Sequence, residues 1–305
     1  MANRKRKGRN ISGWICLDKA PGQTSTQSVS AVKRLFGAAK AGHAGTLDPL
    51  ATGALPIAFG DATKTVPFVQ DGRKVYRFTV LWGVETDTDD SEGASVATFE
   101  ARPERDAIEA ALSDFCGEIM QRPPAYSAIK IAGARAYDLA RDGEAVVLEE
   151  RPVSIHRLAL ADMPDRDHAV FEAECGKGTY VRSLARDIGR KLGCGGHVTE
   201  LRRLVVGPFD ESTFVKLDDI AECHAQGGFE ALDALLKPVG FVLGELPELA
   251  LSPDDAGRLR RGQSVIIRGR DAPPAVPVAH ATCRGDSVAI GEIEQGQFHP
   301  KRVFR

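Results

Sequence analysis

Alternating apolar and polar residues mark out several strands along the chain. The clearest segment is 73–82, in which Tyr76, Phe78, Val80 and Trp82 lie on one face of an extended backbone. This arrangement is typical of a strand with one buried face. Further strands are predicted at 11–17, 54–60, 152–160, 168–175 and 196–209.

Apolar residues three and four positions apart predict helices between these strands. In the first helix, Val29, Val32 and Leu35 repeat at this spacing, and Thr24 or Ser25 supplies the N-terminal cap. Two more helices are predicted at 103–117 and 178–192. Strands interspersed with helices and hairpin turns predict an α+β fold, in which helices flank a mixed, largely antiparallel sheet.

The pattern changes from about residue 246. Short strand-like pieces at 264–267 and 287–293 are separated by turns rich in Gly and Pro, including 271–277. We therefore expect three parts, which are a basic disordered tail at 1–10, a large domain at 11–245 and a small β-rich domain at 246–305.

The composition is that of a folded globular protein. Of the 305 residues, 43% are hydrophobic and 27% are charged, which allows a large core and argues against extensive disorder. No apolar run approaches the ~20 residues that a membrane-spanning helix needs, so we expect neither insertion nor export. Six cysteines without a CxxC pair argue against a disulfide framework or a four-thiolate zinc site, and they indicate a reducing cytoplasm.

The net charge of −2 does not by itself indicate a nucleic-acid-binding protein. Its distribution is more informative, because basic residues concentrate between 182 and 203 and acids between 85 and 92. The basic group supplies candidate phosphate contacts, and a solvated surface is an equal alternative. Its members are Arg182, Arg186, Arg190, Lys191, Arg202 and Arg203.

One carboxylate stands in a segment without regular spacing. Residues 38–53 are rich in Gly and Ala and are predicted to form a loop. Within it, Pro49 biases the preceding Asp48 toward an extended conformation, which would hold the carboxylate in place for work as a nucleophile or base. An aspartate before a proline is also a common turn opener, and spacing alone favours that structural explanation.

Two other residues have simple structural explanations beside a functional one. Tyr76 is in phase with the apolar face of its strand, so a core position is the default, but a tyrosine there could also stack on a nucleic-acid base. Arg182 falls on the polar face of helix 178–192, where it could pair with a carboxylate or a phosphate. A surface arginine is the simpler interpretation.

Several blocks of residues occur together in one order. Residues 43–56 read His-Ala-Gly-Thr-Leu-Asp-Pro-Leu-Ala-Thr-Gly-Ala-Leu-Pro around Asp48. From about residue 12 to 209, the chain resembles the TruB family of bacterial tRNA pseudouridine-55 synthases. The other blocks that resemble family motifs are 18–25, 83–93, 121–143, 178–189 and 201–203.

The resemblance implies the pseudouridine synthase fold and its chemistry. Asp48 would attack a uridine or its ribose, so that the base detaches, turns and reattaches through carbon. Addition to the base, addition to the sugar and removal of a sugar proton all stay open. No metal or redox cofactor is expected, because nothing is oxidised and no water is consumed.

The resemblance also divides the chain by function. Residues 11–245 would be the catalytic domain, 121–149 a mobile flap that closes on RNA, and 246–305 a small RNA-binding domain of the PUA type. The implied partner is tRNA, modified in the cytoplasm at one T-loop uridine. We expect no guide RNA, protein partner or membrane.

Around Asp48, the resemblance assigns roles to individual residues. Arg182 would pair with Asp48 and keep it ionised, and Tyr76 would stack on a uracil flipped out of the RNA. The other substrate-binding residues would be Tyr180 lining the pocket, Leu201 beneath the base, His43 beside the extruded uridine, and Lys19. Candidates for RNA backbone contacts are Lys130, Arg141, Arg202 and Arg203.

Two alternatives belong to other functional classes. A non-catalytic tRNA-binding or tRNA-folding module could share the fold. A base-releasing glycosidase would release free uracil and would require a second carboxylate about 5 to 10 Å from the first.

Overall fold

The structure, a computed structural model, describes residues 8–127, 148–267 and 275–305, together with the backbone of 130–131 and 134–135. Within these residues, nine strands form a central sheet, five form a smaller sheet, and two hairpins lie outside both. The helices are α1 (Ser25–Leu35), α2 (Val66–Asp71), α3 (Arg105–Leu112), α4 (Val181–Lys191), α5 (Leu217–Ala234) and α6 (Pro253–Arg260). The strands are β1 (Gly13–Lys19), β2 (Ala41–His43), β3 (Thr52–Phe59), β4 (Lys74–Trp82), β5 (Val84–Thr86), β6 (Ser95–Thr98), β7 (Gly117–Gln121), β8 (Lys130–Ile131), β9 (Ala134–Arg135), β10 (Arg151–Asp162), β11 (His168–Cys175), β12 (Gly196–Val206), β13 (Phe214–Val215), β14 (Glu248–Ala250), β15 (Val265–Ile266), β16 (Ala275–Cys283), β17 (Asp286–Glu294) and β18 (Gln297–Val303).

The central sheet is mixed and largely antiparallel, which confirms the predicted fold class. Its order is β13-β1-β3-β12-β4-β11-β10-β7, and β2 pairs with β3. The β1–β13 and β3–β12 pairs are parallel, whereas the other pairs in this sheet are antiparallel. Strand β12 therefore lies in the middle of the sheet, between two strands from the first third of the chain.

The main core lies where α1 and α4 pack on this sheet. Val32 of α1 and Leu184 and Ile188 of α4 are buried in the same cluster as Phe78 and Trp82 of β4. Helix α1 begins with a capping box, in which the Thr24 hydroxyl accepts a hydrogen bond from the backbone of Gln27. The apolar periodicities in the sequence therefore correspond to real buried faces.

Three local expectations need correction. Segment 38–53 is not entirely loop, because β2 (Ala41–His43) pairs with β3 despite lacking an alternating pattern. The helix expected at 103–117 is shorter, since α3 ends at Leu112 and a 3-10 turn follows. Pro277 lies in β16 and not in a turn, at a register irregularity where a ladder hydrogen bond is not required of it.

The smaller sheet forms a separate β-rich unit near the end of the sequence, as expected. Its order is β14-β16-β17-β18-β15, and α6 packs against it. It contacts the large domain through Lys64, whose Nζ donates to the carbonyl of Val303 at 2.7 Å, and through the buried Phe304. Among the described residues, no helix is both long and apolar enough to cross a bilayer.

Candidate active site

Asp48 lies in a loop, residues 44–51, whose backbone is held on both sides of the carboxylate. Ser25 donates from Oγ to the Leu47 carbonyl at 3.0 Å and accepts from the Leu47 N–H at 2.8 Å. On the other side, the N–H of Gly22 donates to the carbonyl of Pro49 at 2.8 Å. The neighbours of Asp48 are therefore fixed without substrate, which is the preorganisation that a catalytic carboxylate needs.

Lys19 stabilises the same loop from β1. Its ammonium donates to the carbonyls of Ala20, Pro49 and Ala51 at 3.0, 3.1 and 2.7 Å, which uses all three of its donors. The residue is 1% exposed, and burial lowers the pKa of its side chain to about 8. All three donors of Lys19 are directed to the loop, and its expected substrate contact stays a prediction.

Arg182 connects Asp48 to a second acid. Its Nε lies 2.9 Å from Asp48 Oδ2, and its Nη2 donates to Asp48 Oδ1 at 3.2 Å. Its Nη1 donates to Asp90 Oδ2 at 3.2 Å. The side chains of Arg182 and Asp90 are 6% and 3% exposed, against 32% for Asp48. The surface position that was the simpler interpretation of Arg182 is wrong, and the accessible carboxylate of this group is Asp48.

The guanidinium of Arg182 also contacts two backbone carbonyls. Nη1 donates to Thr88 at 3.0 Å and Nη2 donates to Tyr126 at 2.9 Å. These bonds hold the guanidinium in one orientation, because its donors form a rigid planar fork. Arg182 therefore presents a fixed positive charge to Asp48.

Burial raises the pKa of the Asp48 carboxyl, and the Arg182 guanidinium opposes that rise. The negative charge of Asp90 raises the same pKa. The protonation state of Asp48 therefore depends on both neighbours, as is usual for titratable groups that share one buried site.

Tyr76 and Arg203 face each other across β4 and β12 beside the loop. Arg203 is 2% exposed, and it donates to the carbonyls of Ala54 at 2.7 Å and Gly45 at 3.2 Å. Burial raises the pKa of the Tyr76 hydroxyl, and the neighbouring charge of Arg203 opposes the rise. The guanidinium is directed toward backbone carbonyls and away from solvent, and the expected RNA backbone contact of Arg203 stays a prediction.

Gly53 permits the close approach of β3 and β12. Its φ is +90°, and a Cβ atom there would lie 2.3 Å from the carbonyl oxygen of Arg203. These two residues are partners in the parallel register of the strands. Only glycine combines this backbone conformation with this separation.

Tyr180 immediately precedes α4 and is fixed by Gln121. The Tyr180 N–H donates to Gln121 Oε1 at 2.8 Å, and Gln121 Nε2 donates to the Tyr180 carbonyl at 3.1 Å. Burial raises the pKa of the Tyr180 hydroxyl, with a further rise from the charge of Asp48. The structure thus places Tyr180 within electrostatic reach of Asp48, two residues before Arg182.

Leu201 and His43 lie on strands that flank the loop. Leu201 is 7% exposed and opposite Phe78 in the sheet register. His43 ends β2 just before the loop, and its buried Nδ1 has no hydrogen-bond partner within the described ranges. Burial lowers the pKa of His43, which favours a neutral imidazole.

Most of the basic residues between 182 and 203 are paired with acids. Arg186 donates to Asp89 at 2.9 Å, and Arg190 donates to Glu85 at 2.7 and 2.9 Å. Of the acids at 85–92, Glu85, Asp89 and Asp90 are buried, whereas Asp87 and Glu92 are exposed. Arg182, Arg186 and Arg203 are each less than 9% exposed, and the phosphate contacts expected of this basic group stay a prediction.

The other three candidates for RNA backbone contacts are Arg202, Lys130 and Arg141. Arg202 pairs with Asp18 at 2.9 Å and with Glu211 at 2.9 Å, and 33% of its side chain is exposed. It stays a candidate for RNA contact. The side chain of Lys130 and all of Arg141 lie outside the described residues, as does most of the predicted flap.

Sequence reasoning missed three residues that position the site. The sequence places Asp90 in an acidic cluster and in block 83–93 but does not pair it with Arg182, and it predicts neither the contact of Ser25 with Leu47 nor that of Gln121 with Tyr180. All three belong to blocks that resemble family motifs, which is the signal that could have identified them. The site thus offers one accessible carboxylate, Asp48, which can act as a nucleophile or base near aromatic and apolar side chains.

Comparisons with known proteins agree with the resemblance in the sequence. Residues 33–181 match the family described as "TruB family pseudouridylate synthase (N terminal domain)". Residues 182–243 match "tRNA pseudouridylate synthase B C-terminal domain". The residues of this second match include strand β12 of the central sheet and end before β14, the first strand of the smaller sheet.

Relatives named tRNA pseudouridine synthase B match almost the whole chain. The protein from Nitrobacter winogradskyi is 59% identical over 98% of this chain and 84% of its own length. That from Agrobacterium fabrum is 57% identical over 99% and 97%. Among solved structures, a Cbf5-Nop10-Gar1 complex contains a chain that is 25% identical with a TM-score of 0.72, over 96% of this chain and 84% of that one.

Proposed function

The chain belongs to the TruB family of pseudouridylate synthases, and from this we propose that Asp48 is the carboxylate with which it converts a T-loop uridine, at position 55 of tRNA, to pseudouridine. It is an isomerase that acts on uridine in tRNA. The contact between Asp48 and Arg182 gives the strongest support for the catalytic assignment. It combines an accessible carboxylate, a loop held in place and a guanidinium whose orientation is fixed.

The reaction rearranges one molecule without adding or removing atoms. Asp48 acts on the base or on the ribose, and the bond between C1′ and N1 breaks. The uracil then turns, and its C5 forms a new bond to C1′. C5 loses its proton and N1 gains one, so the product is an isomer of the substrate.

The residues around Asp48 prepare this step. Arg182 favours the ionised carboxylate and fixes its direction. The uridine leaves its stack to reach the site, because an enzyme cannot act on an atom enclosed by neighbouring bases. The aromatic rings of Tyr76 and Tyr180 and the side chain of Leu201 then pack against the base, while His43 lies beside the extruded nucleotide.

The wider surface binds the tRNA. Arg202, Lys130 and Arg141 contact its backbone, and the β-rich unit at 246–305 provides additional RNA contacts. The enzyme works in the cytoplasm on tRNA alone, without a guide RNA or a protein partner. Similarity to bacterial relatives over almost the whole of this chain supports this, since those relatives are named tRNA pseudouridine synthase B.

The test is release of tritium from tRNA labelled at uracil C5. We expect the wild type to release tritium and to modify one T-loop uridine, whereas an Asp48→Asn variant should release none. Asp114→Asn is the matched control, because this carboxylate is 54% exposed and pairs with Lys191 on the surface. Equal release by wild type and Asp48→Asn would exclude the catalytic assignment.

The same incubation separates the two alternatives. A glycosidase would produce free uracil, which chromatography detects, whereas the isomerase leaves the base attached to its ribose. A binding module would bind the tRNA but release no tritium from any uridine. The first result would replace the isomerisation mechanism, and the second would remove catalysis from the assignment.

A further inference from the structure

Two acid–arginine pairs lie side by side where the turn at 87–90 meets α4. Asp90 pairs with Arg182, which reaches Asp48. The adjacent Asp89 pairs with Arg186, one helical turn further along, through a 2.9 Å hydrogen bond from Nη1. Asp89 and Arg186 are each 8% exposed. Neither belongs to the chemistry described above, yet burying a charged pair has a desolvation cost that calls for a reason.

Arg186 holds the backbone that leads away from β7. Its Nη2 donates to the carbonyl of Arg122 at 2.9 Å. Ser183 donates from Oγ to the same carbonyl at 2.8 Å. Arg122 follows the last residue of β7 directly and begins the segment 122–127, which contains Tyr126. Two side chains of α4 therefore fix the point at which this segment leaves the sheet.

Asp89 is itself held firmly enough to orient Arg186. Its φ is +60°, a left-handed conformation that residues other than glycine uncommonly adopt. The Asp89 carbonyl accepts a hydrogen bond from the N–H of Val198 in β12 at 3.1 Å, and the Asp89 N–H donates to the Thr86 carbonyl at 3.2 Å. A continuous series of contacts thus runs from the central sheet through Asp89 and Arg186 to Arg122.

The segment 122–127 returns to the catalytic group through Tyr126. The Tyr126 carbonyl accepts from Arg182 Nη2 at 2.9 Å, and the same nitrogen donates to Asp48 Oδ1 at 3.2 Å. One donor nitrogen therefore serves the segment and the carboxylate together. Movement of Tyr126 would change the position of Arg182 relative to Asp48.

We propose that Arg186, oriented by Asp89, is a positioning residue for the isomerisation, because it fixes segment 122–127 so that the Tyr126 carbonyl keeps Arg182 against Asp48. This inference rests on the proposed role of Asp48. The hydrogen bonds of Arg186 go to Asp89, Asp187 and the Arg122 carbonyl and not to Asp48, so its effect passes through Arg122, Tyr126 and Arg182. A displacement of ~1 Å at a reacting group can slow a reaction by up to about 100-fold.

The chain offers a matched control on the same helix. Arg190 lies one turn beyond Arg186 and donates to the buried Glu85 at 2.7 and 2.9 Å. Arg190 also pairs with a buried acid, but its own side chain is 57% exposed, against 9% for Arg186, and its hydrogen bonds do not lead to Arg122. Losing an arginine that pairs with a buried acid on α4 should lower the melting temperature in both variants, and more in Arg186→Gln, whereas slower turnover at unchanged tRNA affinity should appear in Arg186→Gln alone.

The experiment measures the single-turnover rate constant of tritium release, the Kd for tRNA and the melting temperature of each variant. We expect Arg186→Gln to slow single turnover by about 10- to 100-fold with tRNA affinity within about twofold of wild type, and Arg190→Gln to keep both values within about twofold. Arg186→Lys should lie between wild type and Arg186→Gln, because one ammonium cannot reproduce the planar fork that spans Asp89 and Arg122. Asp89→Asn combined with Arg186→Gln should be no slower than Arg186→Gln alone, because the two residues act as one unit.

Ser183→Ala keeps the test decisive if Arg186→Gln does not fold. It removes one bond to the Arg122 carbonyl without leaving a buried charge unpaired, and we expect a slowing of about threefold or more at unchanged tRNA affinity. The inference is overturned if Ser183→Ala and every folded Arg186 variant keep the wild-type rate constant, or if Arg186→Gln and Arg190→Gln are slowed equally. Failure of the proposed function has a different signature, since wild type would then release no tritium.

Discussion

Replacing Asp90 by Asn should have two effects on catalysis that differ in sign. Asp90 raises the pKa of Asp48 through its negative charge, and it also holds the Arg182 guanidinium that orients Asp48. Asn has nearly the same shape but no charge. The variant should therefore have a lower pKa at Asp48, so that the carboxylate ionises at lower pH. Its maximal rate should fall, because Arg182 is held less firmly.

The strength of the repulsion between the two carboxylates follows from the geometry. Both carboxylates lie 3.2 Å from opposite terminal nitrogens of one guanidinium. This places the two negative charges roughly 6–8 Å apart, where their repulsion at an effective dielectric constant of about 20 is about 2–3 kcal/mol before screening. Solvent at the 32% exposed Asp48 side chain screens part of this repulsion, and removing the remainder lowers the pKa of Asp48.

The assay is single-turnover tritium release between about pH 4.5 and 8. Activity should fall as the pH decreases, because Asp48 becomes protonated. In Asp90→Asn, the midpoint of this fall should move to lower pH, and the plateau rate should fall by about 10- to 100-fold. A midpoint that is unchanged or moves up would refute the electrostatic coupling of Asp48 and Asp90, whatever the plateau rate.

Three further predictions concern the loop and the RNA surface. Gly53→Ala should lower the free energy of unfolding, measured in urea, by about 2 kcal/mol or more, because the new Cβ would meet the Arg203 carbonyl. Unchanged stability would contradict the close approach of β3 and β12. Between about pH 8 and 10.5, the Lys19 side chain is more protonated in the unfolded chain than in the folded protein, so the stability of wild type should rise with pH relative to that of Lys19→Met. Melting temperatures that change with pH by the same amount in both proteins would refute this prediction. Arg202→Gln should weaken tRNA binding and make the affinity less dependent on salt concentration, whereas Arg203→Gln should leave the salt dependence of the affinity unchanged. A weaker salt dependence in Arg203→Gln would show that the buried guanidinium reaches a phosphate.

The sequence predicted the fold and the location of the site where local signals were strong. The alternating face of β4, the stripe of α1 and the cap at Thr24 all depend on neighbouring residues, and each is present in the structure. Asp48 was identified through the order of residues around it. The loop around Asp48 is held by Lys19, Gly22 and Ser25, which lie more than 20 residues earlier in the chain, so its support is not encoded next to Pro49.

The charged residues of the site could not be placed in the same way. Lys19, Arg182 and Arg203 are charged, and such residues are normally at the surface, so a single sequence favours solvent contact for each. Their burial depends on partners that are distant in the chain, such as Asp90 and Arg182, which are 92 residues apart. Only the folded sheet brings these groups together.

The central position of β12 has a consequence for how the protein is made. Strands β3 and β4 leave the ribosome well before β12, which fills the gap between them. Asp48 likewise precedes Arg182 by 134 residues, and Ala54 precedes Arg203 by 149. Because such distant contacts form slowly, a nascent or truncated chain without β12 presents two open strand edges and an unsupported loop. Such a chain should aggregate or be degraded and should not show partial activity.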